Sequence, residues 1–244
     1  MRLIMSCFQC QVENPIPEIT WVEFQDSHLY EFTCSKGHKS SCLLLQQKFE
    51  ILFAIGSHAI LDGYYREAVA SFTSSLERFY EYFIKVKLLD EKNQPSMINK
   101  TWKEISSQSE RQLGAFIVLY AQTFKNEPKL LAQSKVTFRN AVVHKGKIPS
   151  KYEALDYGQA VLDVINPIAD QMMSKFEHGM MEAALLHAME HRKPMPDSPP
   201  QPLQSATSPS VLNVTSRHKI YEYQTLSDGL KHLEVMQSFY KYHS

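Results

Sequence analysis

The stretch from Tyr64 to Leu89, "YYREAVASFTSSLERFYEYFIKVKLL", constrains this chain more than any other. It contains neither glycine nor proline. Its apolar residues Val69, Phe72, Leu76, Phe79 and Phe83 recur at steps of three and four, the period of one helix face. A helix of about seven turns with a large one-sided apolar stripe must be covered by several other elements. Helical patterning also runs from Leu43 through "LLLQQKFEILFAIGSHAILDG", and through "MINKTWKEISS" and "ERQLGAFIVLYAQTF". It resumes in "PSKYEALDYGQAVLDVINPIADQMMSKF", where Ser150 and Glu153 form a capping box and Pro167 is expected to kink the helix or end its first half. The fold class is mainly α.

The first 42 residues follow a different pattern. "EITWVEFQD" and "HLYEFTC" are short, aromatic and partly alternating, and the "QDSH" turn between them suggests a hairpin. All four cysteines lie here. Cys7-x2-Cys10 followed by Cys34-Ser-Lys-Gly-His38 has the spacing of a structural zinc site, with Gly37 free to take a positive φ. Either His38 or Cys42 completes the tetrahedron. His38 is preferred, because "TCSKGH" resembles the second knuckle of zinc ribbons. The first 15 residues, "MRLIMSCFQCQVENP", lack the apolar core and small-residue cleavage site of a signal peptide, and no run of about 18 apolar residues offers a membrane span. The expectation is a cytoplasmic protein with thiols or metal ligands rather than disulfides.

Toward the other end, residues 193–210, "KPMPDSPPQPLQSATSPS", hold six of the twelve prolines and suggest an extended, poorly ordered linker. The expected organisation is a β zinc-ribbon-like module over 1–42, a helical bundle over 43–192, the linker over 193–210, and a tail over 211–244. In that tail "VLNVTSRHKIYEYQTL" suggests one or two strands and "SDGLKHLEVMQSFYKY" a short capped helix.

Lysine plus arginine balance aspartate plus glutamate at 26 each, so no global field draws the chain to nucleic acid. Any anion site must be local. One such patch stands out: Lys125, Lys129, Lys135, Arg139, Lys145, Lys147 and Lys151 face only Glu127. Within it, "TFRNAVVHKGKIPS" ends a helix at Lys145-Gly146. At about 100° per residue, Arg139 falls between Val142 and Val143, and Asn140 and His144 share a neighbouring face. An arginine flanked by valines calls for an anionic partner. Helix capping by His144 and Lys145, with Arg139 paired to a glutamate on another helix, is the structural alternative. His58, among apolar and small residues, reads as a satisfied core or interface histidine rather than a catalytic one, and the methionines at 172, 173, 180, 181 and 189 as adaptable packing. The chain carries no P-loop, G-x-S-x-G, H-E-x-x-H or G-x-G-x-x-G pattern.

Arg139-Asn140-x3-His144 resembles the R-x4-6-H signature of the HEPN superfamily, in which a polar residue, often Asn, follows the Arg. "GYYREAVASFTSSLERFYEYFIKV", with Glu77, resembles an early HEPN helix, and the helix after "HKGKIPS" fits the closing one. The resemblance covers roughly residues 45–180. It implies an up-and-down helical bundle that forms a homodimer and acts as a metal-independent endoribonuclease. Family members serve as toxins or antiviral effectors, held by a cognate inhibitor or defence-system partner. His144 would be the general acid or base in attack of a ribose 2′-hydroxyl on the adjacent phosphate. Arg139 would stabilise the phosphorane, Asn140 would orient His144 or contact the phosphate, and Glu77 would hold Arg139. Lys135, Lys145 and Lys147 would bind RNA. The only cofactor expected is structural Zn2+. A non-catalytic helical module for dimerisation, or for RNA or nucleotide binding, is the alternative.

Overall fold

A computed structural model describes residues 2–13, 19–191, 203–215 and 225–242. In these the chain runs β1 (Arg2–Ser6), α1 (Phe8–Glu13), β2 (Ile19–Glu23), β3 (Leu29–Thr33) and β4 (Lys39–Leu44). Then come α2 (Lys48–Leu61), α3 (Tyr65–Asp90), α4 (Pro95–Ile105), α5 (Ser109–Phe124), α6 (Gln133–Lys145), α7 (Lys151–Lys175) and α8 (Glu177–His191). A last strand, β5 (Leu203–Ala206), and a helix, α9 (Leu226–Tyr242), complete it. The fold is mainly helical, with small strands gathered around the amino-terminal segment. Among the described residues no helix is long and apolar enough to cross a membrane.

The α3 helix is the axis of the bundle. Val69, Phe72, Leu76, Phe79 and Phe83 are all buried, as the periodicity requires. Each buried phenylalanine stabilises the fold by about 1.5–3 kcal/mol. The Phe72 ring fills a gap opened by two glycines: a Cβ at Gly56 on α2 or at Gly158 on α7 would meet it at 2.7 Å or 2.6 Å. The α8 helix approaches more closely still. A Cβ on Gly179 would lie 2.3 Å from the Val86 carbonyl oxygen, and the Gly179 N–H donates to the Asp90 carboxylate at 3.1 Å. The capping box of Ser150 and Glu153 starts α7 as expected.

Several expectations need correction. β2 and β3 do not pair as a hairpin. β2 pairs antiparallel with β1, and β3 pairs antiparallel with β4, because Leu3 and Met5 make the first residues a buried strand of their own. β4 continues through Leu43 and Leu44, both buried, so helical geometry starts only at Lys48. Pro167 does not end α7, which continues to Lys175. It is exposed, as is Asp163 one turn earlier, the residue whose carbonyl loses its helical donor to proline.

Residues 203–206, inside the stretch expected as a linker, form β5 and add a parallel strand to β4; residues 193–202 lie outside the described set. No strand forms over 211–215, whose Val211, Leu212 and Val214 are buried in the bundle core; the rest of the expected tail strands, residues 216–224, lies outside the described residues. The carboxy-terminal helix is present and is capped by Thr225, whose hydroxyl accepts from the Asp228 N–H at 3.2 Å. Its Leu226 side chain reaches Gly158, and its Leu226 N–H donates to Gln159 at 2.7 Å. The tail therefore folds back on its own bundle.

A residue with no distinguishing mark in the sequence holds this segment in place. Glu50, fully buried on α2, accepts at Oε1 from the N–H groups of Val214 at 2.6 Å and Thr215 at 2.9 Å. At Oε2 it accepts from the Gln47 N–H at 2.7 Å and from the Thr215 hydroxyl. Burial pushes its pKa up, while these donors pull it down.

Two substitutions test this architecture in thermal or denaturant unfolding. Gly179→Ala forces a methyl into backbone, and a loss of about 1–3 kcal/mol is expected. Glu50→Gln keeps the volume but turns an NH2 group toward donors. It is expected to cost about 2–4 kcal/mol and to speed amide exchange at Val214 and Thr215.

Candidate metal centre and the α6 terminus

Cys7 immediately precedes α1 and its carbonyl accepts from the Gln11 N–H at 2.9 Å, so Cys7 and Cys10 lie across the first turn of a short helix. The β3–β4 hairpin closes over Cys34-Ser-Lys-Gly-His38. The Gly37 N–H donates to the Cys34 carbonyl at 2.9 Å, the Cys34 N–H to the His38 carbonyl at 3.1 Å, and Gly37 takes φ +83°. The two segments meet. Cys10 Sγ is 3.8 Å from Cys34 Sγ and 3.4 Å from His38 Nδ1, and Cys7 Sγ is 3.8 Å from His38 Nδ1. All four donor atoms lie within 4.8 Å of one another.

Thiolates held about 2.3 Å from an ion at tetrahedral corners are about 3.8 Å apart, so the observed separations fit a metal ion of zinc's size. The chemistry of the donors agrees. Burial opposes ionisation of Cys7, but the Cys10 N–H, the Ser40 hydroxyl and His38 outweigh it and bring the thiol down to about 6. Burial raises Cys10 to about 12, and its sulfur neighbours Cys34 and Cys7 add to the effect. A divalent cation would relieve that crowding of negative charge. Cys42 is not in the cluster. It lies on β4 opposite Tyr30, and burial lifts its thiol to about 11, so the fourth donor is His38.

At the other predicted site, α6 ends as expected, with Gly146 at φ +73° and the Lys147 N–H donating to the Ala141 carbonyl at 3.0 Å. Val142 is fully buried, Arg139 and Asn140 are half-buried, and His144 and Lys145 are exposed. The structure brings Arg139 and Glu77 to the same neighbourhood around Tyr157. That phenol is raised chiefly by burial; Arg139 favours its anion and Glu77 opposes it. Tyr157 itself shares a 2.9 Å hydrogen bond with Thr73 and packs its ring against Phe138. No hydrogen bond or ion pair joins Glu77 to Arg139, and the side chains of Arg139, Asn140 and His144 make none with any described residue. Two of the three candidate RNA-binding lysines are tied to α7: Lys135 pairs with Asp156, and Lys147 pairs with Glu153 while lying 4.9 Å over the Phe138 ring.

One group of titratable residues is not evident from the sequence. His28, His187 and His191 converge, with their ring centroids 4.4–4.8 Å apart. His187 and His191 are one helical turn apart in "HAMEH", a readable signal for a shared face. Nothing in the sequence near His28 points to α8.

No protein-family model, curated protein or solved structure matches the chain.

Chelation at the cysteine–histidine cluster is expected to loosen the amino-terminal strands while leaving the bundle folded. In Co2+-loaded protein, thiolate-to-cobalt charge transfer should be visible and should be lost in Cys34→Ser. Amide exchange over β1 to β4 should rise in the same variant. A wild-type chain that shows no such band and no change on chelation would exclude the centre.

Proposed function

We propose that the protein is a metal-independent endoribonuclease of HEPN type, acting as a homodimer with the α6 termini at the interface, and that zinc occupies the Cys7, Cys10, Cys34 and His38 cluster in a structural role. The observation that carries the catalytic reading is the state of Arg139. It is half-buried beside apolar side chains and has no carboxylate partner among the described residues of its own chain. A guanidinium keeps its charge at any accessible pH, so such a position is suited to an anion supplied from outside. Asn140 and His144 lie on the same part of α6, equally unengaged among the described residues. A phosphate held by Arg139 would be in reach of the exposed His144 imidazole as general acid or base.

Cleavage by 2′-hydroxyl attack needs one group to take a proton and another to give one. Each chain brings one histidine in this motif, so two copies facing each other complete the set. Ile148 and Tyr152, directly after the motif, are 82% and 77% exposed, and burial of these apolar side chains favours such an association. Toxin or antiviral action, restrained by a partner protein, belongs to the same proposal and rests on the resemblance of the α6 motif alone.

The pairing of Lys135 and Lys147 with α7 carboxylates favours a second reading, in which the motif binds a nucleotide or RNA end without cutting it. One experiment separates the two. Mixed RNA is incubated in EDTA with wild type, His144→Ala and Arg139→Ala, each first shown to be folded and of the same oligomeric state. Cleavage by wild type with 2′,3′-cyclic phosphate ends is expected. It should fall about 10²–10⁴-fold in His144→Ala and about 10²–10³-fold in Arg139→Ala. Intact RNA that is bound by wild type and released by Arg139→Ala would support recognition without catalysis. If wild type neither cleaves nor binds RNA, both readings fall.

A further inference from the structure

His28 sits where the chain turns into β3, and it is the most constrained histidine among the described residues. It takes φ +55°, a left-handed conformation that is uncommon for any residue with a Cβ, and it is only 5% exposed. Its Nδ1 is buried with no hydrogen-bond partner. A strained backbone holding an unsatisfied imidazole nitrogen in the interior is a costly arrangement unless something else engages that nitrogen.

What surrounds it is two more imidazoles. His187 and His191 project from one face of α8, and ring nitrogens of the three histidines lie within 4.8 Å of one another. The Leu44 backbone at the end of β4 fixes two of them. Its N–H donates to the His28 carbonyl at 2.8 Å, and its carbonyl accepts from His187 Nε2 at 3.2 Å. A carbonyl that takes the Nε2 proton leaves His187 Nδ1 as a free lone pair. This is the outer partner that metal-bound histidines characteristically have. Among the described residues no carboxylate hydrogen-bonds to any of the three histidines. Lys85 and Glu190 are the charged groups that act on His187 from α3 and α8.

We infer that His28, His187 and His191 form a second divalent-metal site, separate from the cysteine–histidine centre, for a zinc-like ion with one coordination position left to water. Imidazole donors select ions of this class, and three protein ligands with a fourth position open is an established arrangement for zinc. The ion would draw the donor nitrogens to about 3.4 Å of one another, the separation that Zn–N bonds of about 2.0–2.1 Å impose on a tetrahedron. His191 is half-exposed, so solvent reaches the cluster from that side. The site also joins two parts of the fold, since His28 belongs to the strand module and the others to α8. An ion here would clamp that module onto the bundle.

The test is metal stoichiometry on the full chain, independent of any activity. Protein stripped of metal is reloaded with Zn2+ or Co2+, freed of excess ion, and its bound metal measured beside His187→Gln and His191→Gln. Wild type is expected to retain about two equivalents and each variant about one. The thiolate-to-cobalt band of the cysteine centre should be equal in all three, which shows that the variants remain folded and that the lost ion is the other one. His191 is only half-buried, so His191→Gln gives a readable result even if His187→Gln disturbs packing. A wild-type chain with about one equivalent or none overturns the proposal. A second equivalent that survives in His191→Gln overturns it as well.

Discussion

The Phe72 ring, gripped between Gly56 and Gly158, is the contact on which the helical bundle depends. It joins α2, α3 and α7 at a point where a single methyl group on either glycine would collide with the ring. Because interiors are packed as densely as organic crystals, such a contact sets the distance between helix axes rather than merely filling space. From it, α3 presents Phe79 and Phe83 to the remaining helices, with Phe116 and Phe176 packed on Phe83. Further along, Gly179 lets α8 lie against the α3 backbone. The placement of His187 and His191 follows from that approach, since both belong to the same rigid helix.

The ends of the chain are held to this bundle by polar groups inside it. Glu50 binds the backbone of Val214 and Thr215, and the Gln46 side chain accepts from the Ser208 N–H at 2.8 Å. Nearby β5 lies parallel to β4, so one carboxy-terminal segment touches both the strand module and α2. Buried hydrogen bonds of this kind are worth most when every member is satisfied, and the carboxylate of Glu50 meets four donors. Among the described residues the strand module is tied to the rest of the chain by the parallel strand β5 and by the His28 contact with α8. Its small core, Leu3, Met5, Tyr30 and Phe32, continues into Ile51 of α2.

The α6 terminus is built differently. Its apolar side, Phe138 and Val142, is committed to the bundle, while Arg139, Asn140 and His144 are left without partners among the described residues. Stability alone gives no reason to leave a half-buried guanidinium without a carboxylate partner. The same helix end carries lysines that are neutralised by α7. That limits the positive field at this helix end.

Features encoded within a few residues are legible in the sequence itself. The α3 stripe, the Ser150–Glu153 cap, the Gly146 stop and the Cys7, Cys10, Cys34 and His38 donors each depend on spacing along one helix turn or one hairpin. Local geometry converts that spacing directly into position. Strand pairing is not legible, because the alternation in β2 and β3 is equally compatible with either partner, and the buried β1 that claims β2 lies within a stretch dominated by its cysteines. Nor does the sequence show that β5 and Glu50 draw a proline-rich tail into the fold. The sequence by itself determined the α3 stripe, the Ser150 cap, the Gly146 stop and the cysteine–histidine cluster. Only the tertiary structure decided that His28 meets His187 and His191, and that Arg139 has no ion-pair partner among the described residues, because both depend on distances between elements, and those distances are set by packing of the whole core.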